Sequence, residues 1–167
     1  SGEIVGIAGV AGNGQDELLA LLSGEQPLPR DSASTIRFAD QAVADLRPDA
    51  RRKLGLAFVP AERLGHGAVP DMSLADNALL TAFQQGLVSN GLIQRSKVRA
   101  LADEIIRRFS VKTPDAQTAA RSLSGGNVQR AVLARELAGD INVLIAANPV
   151  FGLDFAAVAE IHSRIVQ

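Results

Sequence analysis

Gly9, Gly12 and Gly14 stand between an apolar run and a helical pattern in "GIAGVAGNGQDELLALL". A strand, a glycine-rich turn and a helix start together make an anion site from backbone N–H groups, and glycine lets the main chain approach a phosphate closely. Gly9 and Gly14 fit the spacing G-x-x-x-x-G-K-[ST], but Gln15 stands at the lysine and Asp16 at the hydroxyl residue. Losing the lysine removes a charge-assisted hydrogen bond of about 1.5–3 kcal/mol. Asp16 sets a carboxylate beside the phosphate position, a repulsion of about 4 kcal/mol at ~4 Å in a surface-like dielectric. Asp16 and Glu17 suit the N-terminus of their own helix instead. A dinucleotide fingerprint is excluded, because Glu17 takes the place of its last glycine. Gly9, Gly12, Asn13, Gly14, Gln15 and Asp16 are therefore expected to keep the shape of a phosphate-binding loop without its chemistry.

A second candidate lies in "LSGGNVQRAVLARELA", where Ser124, Gly125, Gly126 and Asn127 open a helix whose first amides can meet an anion. A third is "VLIAANPVFGLD", an apolar strand running into Ala147 and Asn148 and then Gly152, Leu153 and Asp154. His66 and His162 read as surface histidines.

The elements that must position these residues follow from periodicity and punctuation. "EIVGIAG", "LGLAFVP" and "INVLIAA" are short apolar runs expected as buried strands, and "STIRFAD" as an edge strand. "GQDELLALLSG" has helical spacing closed by Gly24, and "RPDARRKLG" reads as a short helix with proline at its start. In "MSLADNALLTAF", Ser73 and Asp76 have capping-box spacing. Val98, Leu101, Ala102, Ile105, Ile106 and Phe109 form the apolar stripe of an amphipathic helix. "DAQTAARSL" reads as a polar loop and "DFAAVAEIHSRIVQ" as a final helix. Strands alternate with helices at both ends around a helix-only block, which predicts an α/β fold with a mostly parallel sheet and a helical insertion.

These motifs, in this order, resemble the ATPases of ABC transporters. "LSGGN" is similar to the signature L-S-G-G-Q, the loop at Gly9 to the Walker A turn, and "VLIAANPVFGLD" to the Walker B strand and D-loop. "GLAFVPAERLGHGAVPDMSLADNALL" resembles the entry to the helical subdomain. The likeness spans nearly the whole chain. It is narrowest to the second, degenerate ATPase half of importers for simple sugars or nucleosides, in which two such domains share one polypeptide.

The resemblance implies a P-loop NTPase three-layer core at 1–71 and 124–167, truncated at both ends, with the helical subdomain at 72–123. It puts Ala147 at the Walker B aspartate, Asn148 at the catalytic glutamate and Ala61 about at the Q-loop glutamine. The first acid would hold Mg²⁺ and the second would activate water, and a neutral amide takes no proton. No residue is then catalytic and none binds metal, and this domain alone would bind ATP and Mg²⁺ weakly or not at all. In the assembled transporter, Ser124, Gly125, Gly126 and Asn127 would instead meet the γ-phosphate of ATP held by the first ATPase domain. Gly152, Leu153 and Asp154 would cross the dimer interface, and the surface from Glu62 to Ser73 would receive the permease subunits. A sugar- or nucleoside-binding protein is the indirect partner, and the place is the cytoplasmic face of the plasma membrane, peripherally. The family's adenine-stacking aromatic and switch histidine would fall outside 1–167, which would leave the backbone of Ile4–Ala8 on an open sheet edge. A self-sufficient ATP-hydrolysing domain and a non-transport scaffold are the rival readings.

Bulk properties agree with this class. The 167 residues suffice for a real core, and a net charge of −1 carries no polyanion footprint, so nucleic acid is not expected as a partner. There is no cysteine, hence no disulfide framework, and neither Trp nor Tyr is present to stack a base. No apolar run reaches the ~20 residues of a membrane span, and no signal peptide is expected because Ser1 leads straight into a strand-like run.

Overall fold

Leu56–Val59 (β3) and Val143–Ala146 (β6) are apolar four-residue runs that pair in parallel, with Leu56 opposite Val143 and Val59 opposite Ala146. The computed structural model describes residues 2–10, 12–29, 31, 35–38 and 40–166. Gly55 and Asn142 start the β3–β6 pair. The Asn142 N–H donates to the Gly55 carbonyl (2.9 Å) and Asn142 Nδ2 to the Leu54 carbonyl (3.0 Å). Gly55 has φ +86°, and a Cβ there would lie 2.7 Å from Asn142 Nδ2, so conformation and space both require glycine.

Helices cover this pair: Gln15–Ser23 (α1), Pro48–Lys53 (α2), Gly125–Glu136 (α5) and Phe155–Val166 (α6). Arg37–Phe38 (β1) and Gln41–Ala42 (β2) form a separate antiparallel hairpin. Arg51 of α2 is fully buried and donates to the carbonyls of Leu21, Leu22, Ala44 and Leu46 (2.6–3.1 Å). It thereby caps the C-terminal end of α1, where a cation also meets the negative end of the helix dipole. Burial pulls its guanidinium below the ordinary value, with Asp45 pulling it back.

The middle of the chain packs as helices. Leu74–Ala82 (α3) starts at Ser73, whose Oγ accepts the Asp76 N–H (3.0 Å) and whose hydroxyl reaches the Asp76 carboxylate (2.8 Å). Arg95–Arg108 (α4) buries Val98, Ala102 and Ile105 against α3 and α5, on the expected stripe. Each such aliphatic side chain larger than alanine contributes about 1.5–3 kcal/mol by leaving water. α5 belongs to both apolar clusters: Ala134 joins the α3–α4 cluster, while Val128, Val132 and Leu133 pack with Val59 and Ile161. Glu136 at its end is buried between Arg52 (2.7 Å) and Arg135 (3.0 Å) and accepts the Phe58 N–H (3.1 Å). Arg135 reaches on to the Asn77 carbonyl in α3 (3.3 Å). Burial pulls Arg135 below its ordinary value, and the Glu136 charge pulls it back.

Three expectations need correction. Residues 2–10 form no strand: Ile4, Val5 and Ile7 are 65%, 72% and 70% exposed and pair with neither neighbour. An apolar run becomes a strand only where a partner's N–H and C=O groups lie in register, and an open cleft separates this one from β6. The segment is thus open on both edges rather than on one. Second, the helix-only block holds a hairpin, Val88–Ser89 (β4) with Leu92–Ile93 (β5), turned by Asn90 (φ 51°) and Gly91 (φ 76°). Two central residues with positive φ are what a two-residue turn joining twisted strands demands. Third, "DAQTAARSL" is not merely polar loop. Its Ala116 and Ala120 are buried, and the carbonyls of Thr118 and Ala116 accept the N–H groups of Leu74 and Ala75 at the start of α3.

Candidate functional site

The glycine-rich loop closes upon itself. Gly12 (φ 84°) and Gly14 (φ 92°) make the left-handed turns that lead into α1, with Gly14 as its N-cap. The Gln15 side chain folds back across the loop: Oε1 accepts the Asn13 N–H (2.9 Å) and Nε2 donates to the Val10 carbonyl (2.8 Å). Asn13 Nδ2 donates to the same carbonyl (3.0 Å). A Cβ on Gly9 would lie 2.8 Å from Gln15 Nε2, so the amide lies directly over Gly9. The glutamine occupies a loop N–H that a phosphate oxygen would otherwise take.

Gln15, Ala147 and Asn148 line one cleft of about 280 Å³, with Val5, Ile7 and β6 on its sides. Ala147 donates its N–H to the Val59 carbonyl (2.8 Å), and Asn148 takes φ 48°, a left-handed conformation that asparagine tolerates. Neither is a carboxylate. On the other side of α1, Asp16, Glu25, Ala61, Glu62 and His66 line a cleft of about 310 Å³. Three of these are acids, and the His66 ring meets Glu25 Oε1 at 2.5 Å. Among the described residues no cluster of His, Asp and Glu could hold a metal ion. The groups present suit a metal-bound polyphosphate poorly: Gln15 carries no charge, residue 147 is an alanine, and Asp16 adds a carboxylate at the start of α1.

The second group is assembled differently. Ser124 is the N-cap of α5, exposed, with φ −64° and ψ 152°. Asn127 Nδ2 donates to Ser124 Oγ (2.9 Å), which leaves the hydroxyl proton free to donate outward. Asn127 Oδ1 accepts the Lys112 N–H (2.7 Å), so both ends of this amide are engaged within the chain. The Ser124 carbonyl accepts the N–H groups of Asn127 and Val128, while those of Gly125 and Gly126 find no acceptor among the described residues. A Cβ on Gly126 would stand 3.3 Å from Leu153 Cδ2, so the turn at 152–154 packs directly on the α5 start. Asp154 Oδ1 accepts the Ala157 N–H (2.9 Å) and caps α6. Phe151 and Phe155 flank this turn and are exposed.

One participant is missing from the sequence reading. Arg63 donates through Nη2 to the Phe151 carbonyl and lies beside Gly125 and Gly152. It lies 62 positions before Gly125 and 88 before Phe151, so the sequence places it in the stretch after β3 but not beside these residues. Lys112 was missed for the same reason. The structure thus brings Gln15 together with Ala147 and Asn148, and Ser124–Asn127 together with 151–154. His66 and His162 are exposed, as expected of surface histidines. The segment from Glu62 to Ser73 is held by Asn77, whose Oδ1 accepts the Val69 N–H (2.8 Å) and whose Nδ2 faces the carbonyls of Val69, Met72 and Ser73 (3.1–3.2 Å).

The profile of the family described as ABC transporter matches residues 1–150. The chain is 36% identical to the guanosine import ATP-binding protein NupO of Bacillus subtilis, over 100% of this chain and 32% of that protein. It is 40% identical to a putative ribose/galactose/methyl galactoside import ATP-binding protein 3 of Agrobacterium fabrum, over 99% of this chain and 32% of that one. The chain therefore spans about a third of the length of the curated relatives it matches. Among solved structures, the dimeric MJ0796, a bacterial ABC transporter cassette, superposes with a TM-score of 0.71 at 20% identity, over 93% of this chain and 65% of that chain. At that identity the likeness shows the fold, an α/β P-loop NTPase cassette with a parallel sheet. From the profile and the relatives together, the chain belongs to the ABC transporter family.

Proposed function

We propose that this chain is the degenerate second nucleotide-binding domain of an importer for simple sugars or nucleosides, and that it completes an ATP site whose phosphate loop belongs to a first ATPase domain. The two sites are in opposite states, and this contrast carries the reading. The loop at 9–16 is spanned by its own glutamine, whereas the α5 start presents an exposed Ser124 hydroxyl and two amides without acceptors among the described residues. In this division of labour Ser124, Gly125 and Gly126 receive the terminal phosphate of a nucleotide held by the partner half. Asn127, engaged at both ends, orients Ser124 rather than touching the phosphate itself. Gly152, Leu153 and Asp154 lie across the interface. Residues 1–71 and 124–167 form the α/β part and 72–123 the helical part, with Glu62–Ser73 facing a membrane permease.

The relatives are named as import ATP-binding proteins for guanosine and for ribose or galactosides, which supports this substrate class. No described helix is long and apolar enough to cross a membrane; attachment at the cytoplasmic face of the plasma membrane through the permease is part of the proposal. The test is made in the full-length protein with its permease. Ser124→Arg is expected to abolish transport-coupled ATP hydrolysis by filling the space of the terminal phosphate, while Gln15→Ala changes it little. The reverse pattern would assign catalysis to the 9–16 loop and overturn the proposal.

A further inference from the structure

We propose that Arg63 is a positioning residue that fastens the start of α5 and the 151–154 turn to the 62–68 loop, and so sets the spacing of the groups offered to the partner's nucleotide. This rests on the reading above for its functional consequence, but the fastening itself stands on geometry.

The anchor is rigid. Gly65 donates its N–H to the Ala68 carbonyl (2.8 Å), Gly67 to Glu62 (2.9 Å), and Ala68 to Arg63 (2.8 Å). A Cβ on Gly67 would stand 2.8 Å from the Arg63 carbonyl oxygen, so the chain there passes too close for any side chain. With its backbone held, Arg63 extends its guanidinium between two other segments. Nη2 donates to the Phe151 carbonyl. Nη1 lies 2.7 Å from where a Cβ on Gly125 would stand, and Nη2 lies 3.2 Å from the corresponding point on Gly152. Gly125 and Gly152 thus provide the slot for a planar fork, and Gly152 also needs glycine for its φ of 66°. Three segments distant in sequence meet at one side chain: the loop after β3, the turn after β6 and the start of α5. Loop 62–68 is also the stretch proposed to face the permease, so Arg63 joins that surface to the α5 start.

The experiment uses the full-length protein with its permease, carrying Arg63→Ala, Arg63→Gln or Arg63→Lys. Hydrogen exchange at residues 127–128 and 151–154 is read alongside kcat and KM for ATP, the amides of Asn127, Val128, Phe151 and Leu153 being hydrogen-bonded. Freed from the guanidinium, both segments are expected to exchange at least about tenfold faster, as locally opened segments do. A displacement of ~1 Å in a reacting arrangement costs about 10²-fold, so kcat is expected to fall by 10- to 100-fold. KM stays unchanged, because the nucleotide is held by the other half. Lysine, a point donor without the fork, restores less than half of the loss. Should Ala fail to fold, Gln and Lys carry the test. Unchanged exchange at 151–154 in every folded variant overturns the fastening. Faster exchange with unaltered kcat overturns its functional role, as does a loss of activity that only follows the folded fraction. Ser124→Arg, measured in parallel, separates the two ideas: if it leaves hydrolysis intact the trans reading falls, and the exchange data still decide the fastening.

Discussion

The Gln15 side chain is bonded wholly within its own loop. Lysine at this place would extend a charge toward a ligand. Glutamine is shorter and carries both a donor and an acceptor, so it bonds the Asn13 N–H and the Val10 carbonyl and needs no ligand. These bonds are exposed, and Gln15→Ala is expected to cost only about 0.5–1.5 kcal/mol, read as a small fall in the urea midpoint. Arg51 is the opposite case. Its buried guanidinium is the partner of four carbonyls, so Arg51→Met leaves those of Leu21, Leu22 and Leu46 without this donor. A loss of about 3 kcal/mol or more in chemical unfolding is expected, and a loss under ~1 kcal/mol would show that water replaces the guanidinium there. Neither difference is visible in composition, since both residues are ordinary polar letters in a helix.

Among the elements, α5 does most of the joining. Its first turn carries Ser124–Asn127, its middle feeds both apolar clusters, and its last turn carries the Arg52–Glu136–Arg135 group that ties it to α2, β3 and α3. Removing the central charge leaves the buried Arg135 guanidinium without its counter-ion. Glu136→Gln is therefore expected to destabilise the fold by about 3–5 kcal/mol, measured by urea unfolding. The hairpin of β4 and β5 lies at the far side of this construction. Its Asn90-Gly91 turn is the strongest short-range hairpin signal a sequence offers, yet the apolar flanks of "LVSNGLI" blend into the helical pattern on both sides. Period-2 alternation cannot declare itself over strands of two residues.

For the whole molecule, the acids beside α1 and the closed 9–16 loop predict a poor nucleotide binder. With Kd no tighter than about 1 mM, 1 mM Mg-ATP adds on the order of 0.4 kcal/mol of stability. A calorimetric or fluorescence melt is then expected to shift by only about 1–2 °C. A shift above about 5 °C would mean tight binding and would overturn the reading of the 9–16 loop.

Much of this was written in the chain. The sequence alone determined β3 and β6, helices α1 to α6, the Ser73 cap and the glycine turns, because each rests on local periodicity or backbone conformation, while the order of its motifs carried the resemblance to ABC ATPases. That Gln15, Ala147 and Asn148 are neither a lysine nor acids is an identity and needs no coordinates. Tertiary structure alone decided the rest. Whether Ile4–Ala8 pairs depends on a partner in register, and that partner lies across a cleft. Where the Gln15 amide turns, and that Arg63 lies between Gly125 and Gly152, follow from groups brought together only when distant segments pack. Short-range steric rules are carried by neighbours along the chain; hydrogen-bond partners across it are chosen by packing.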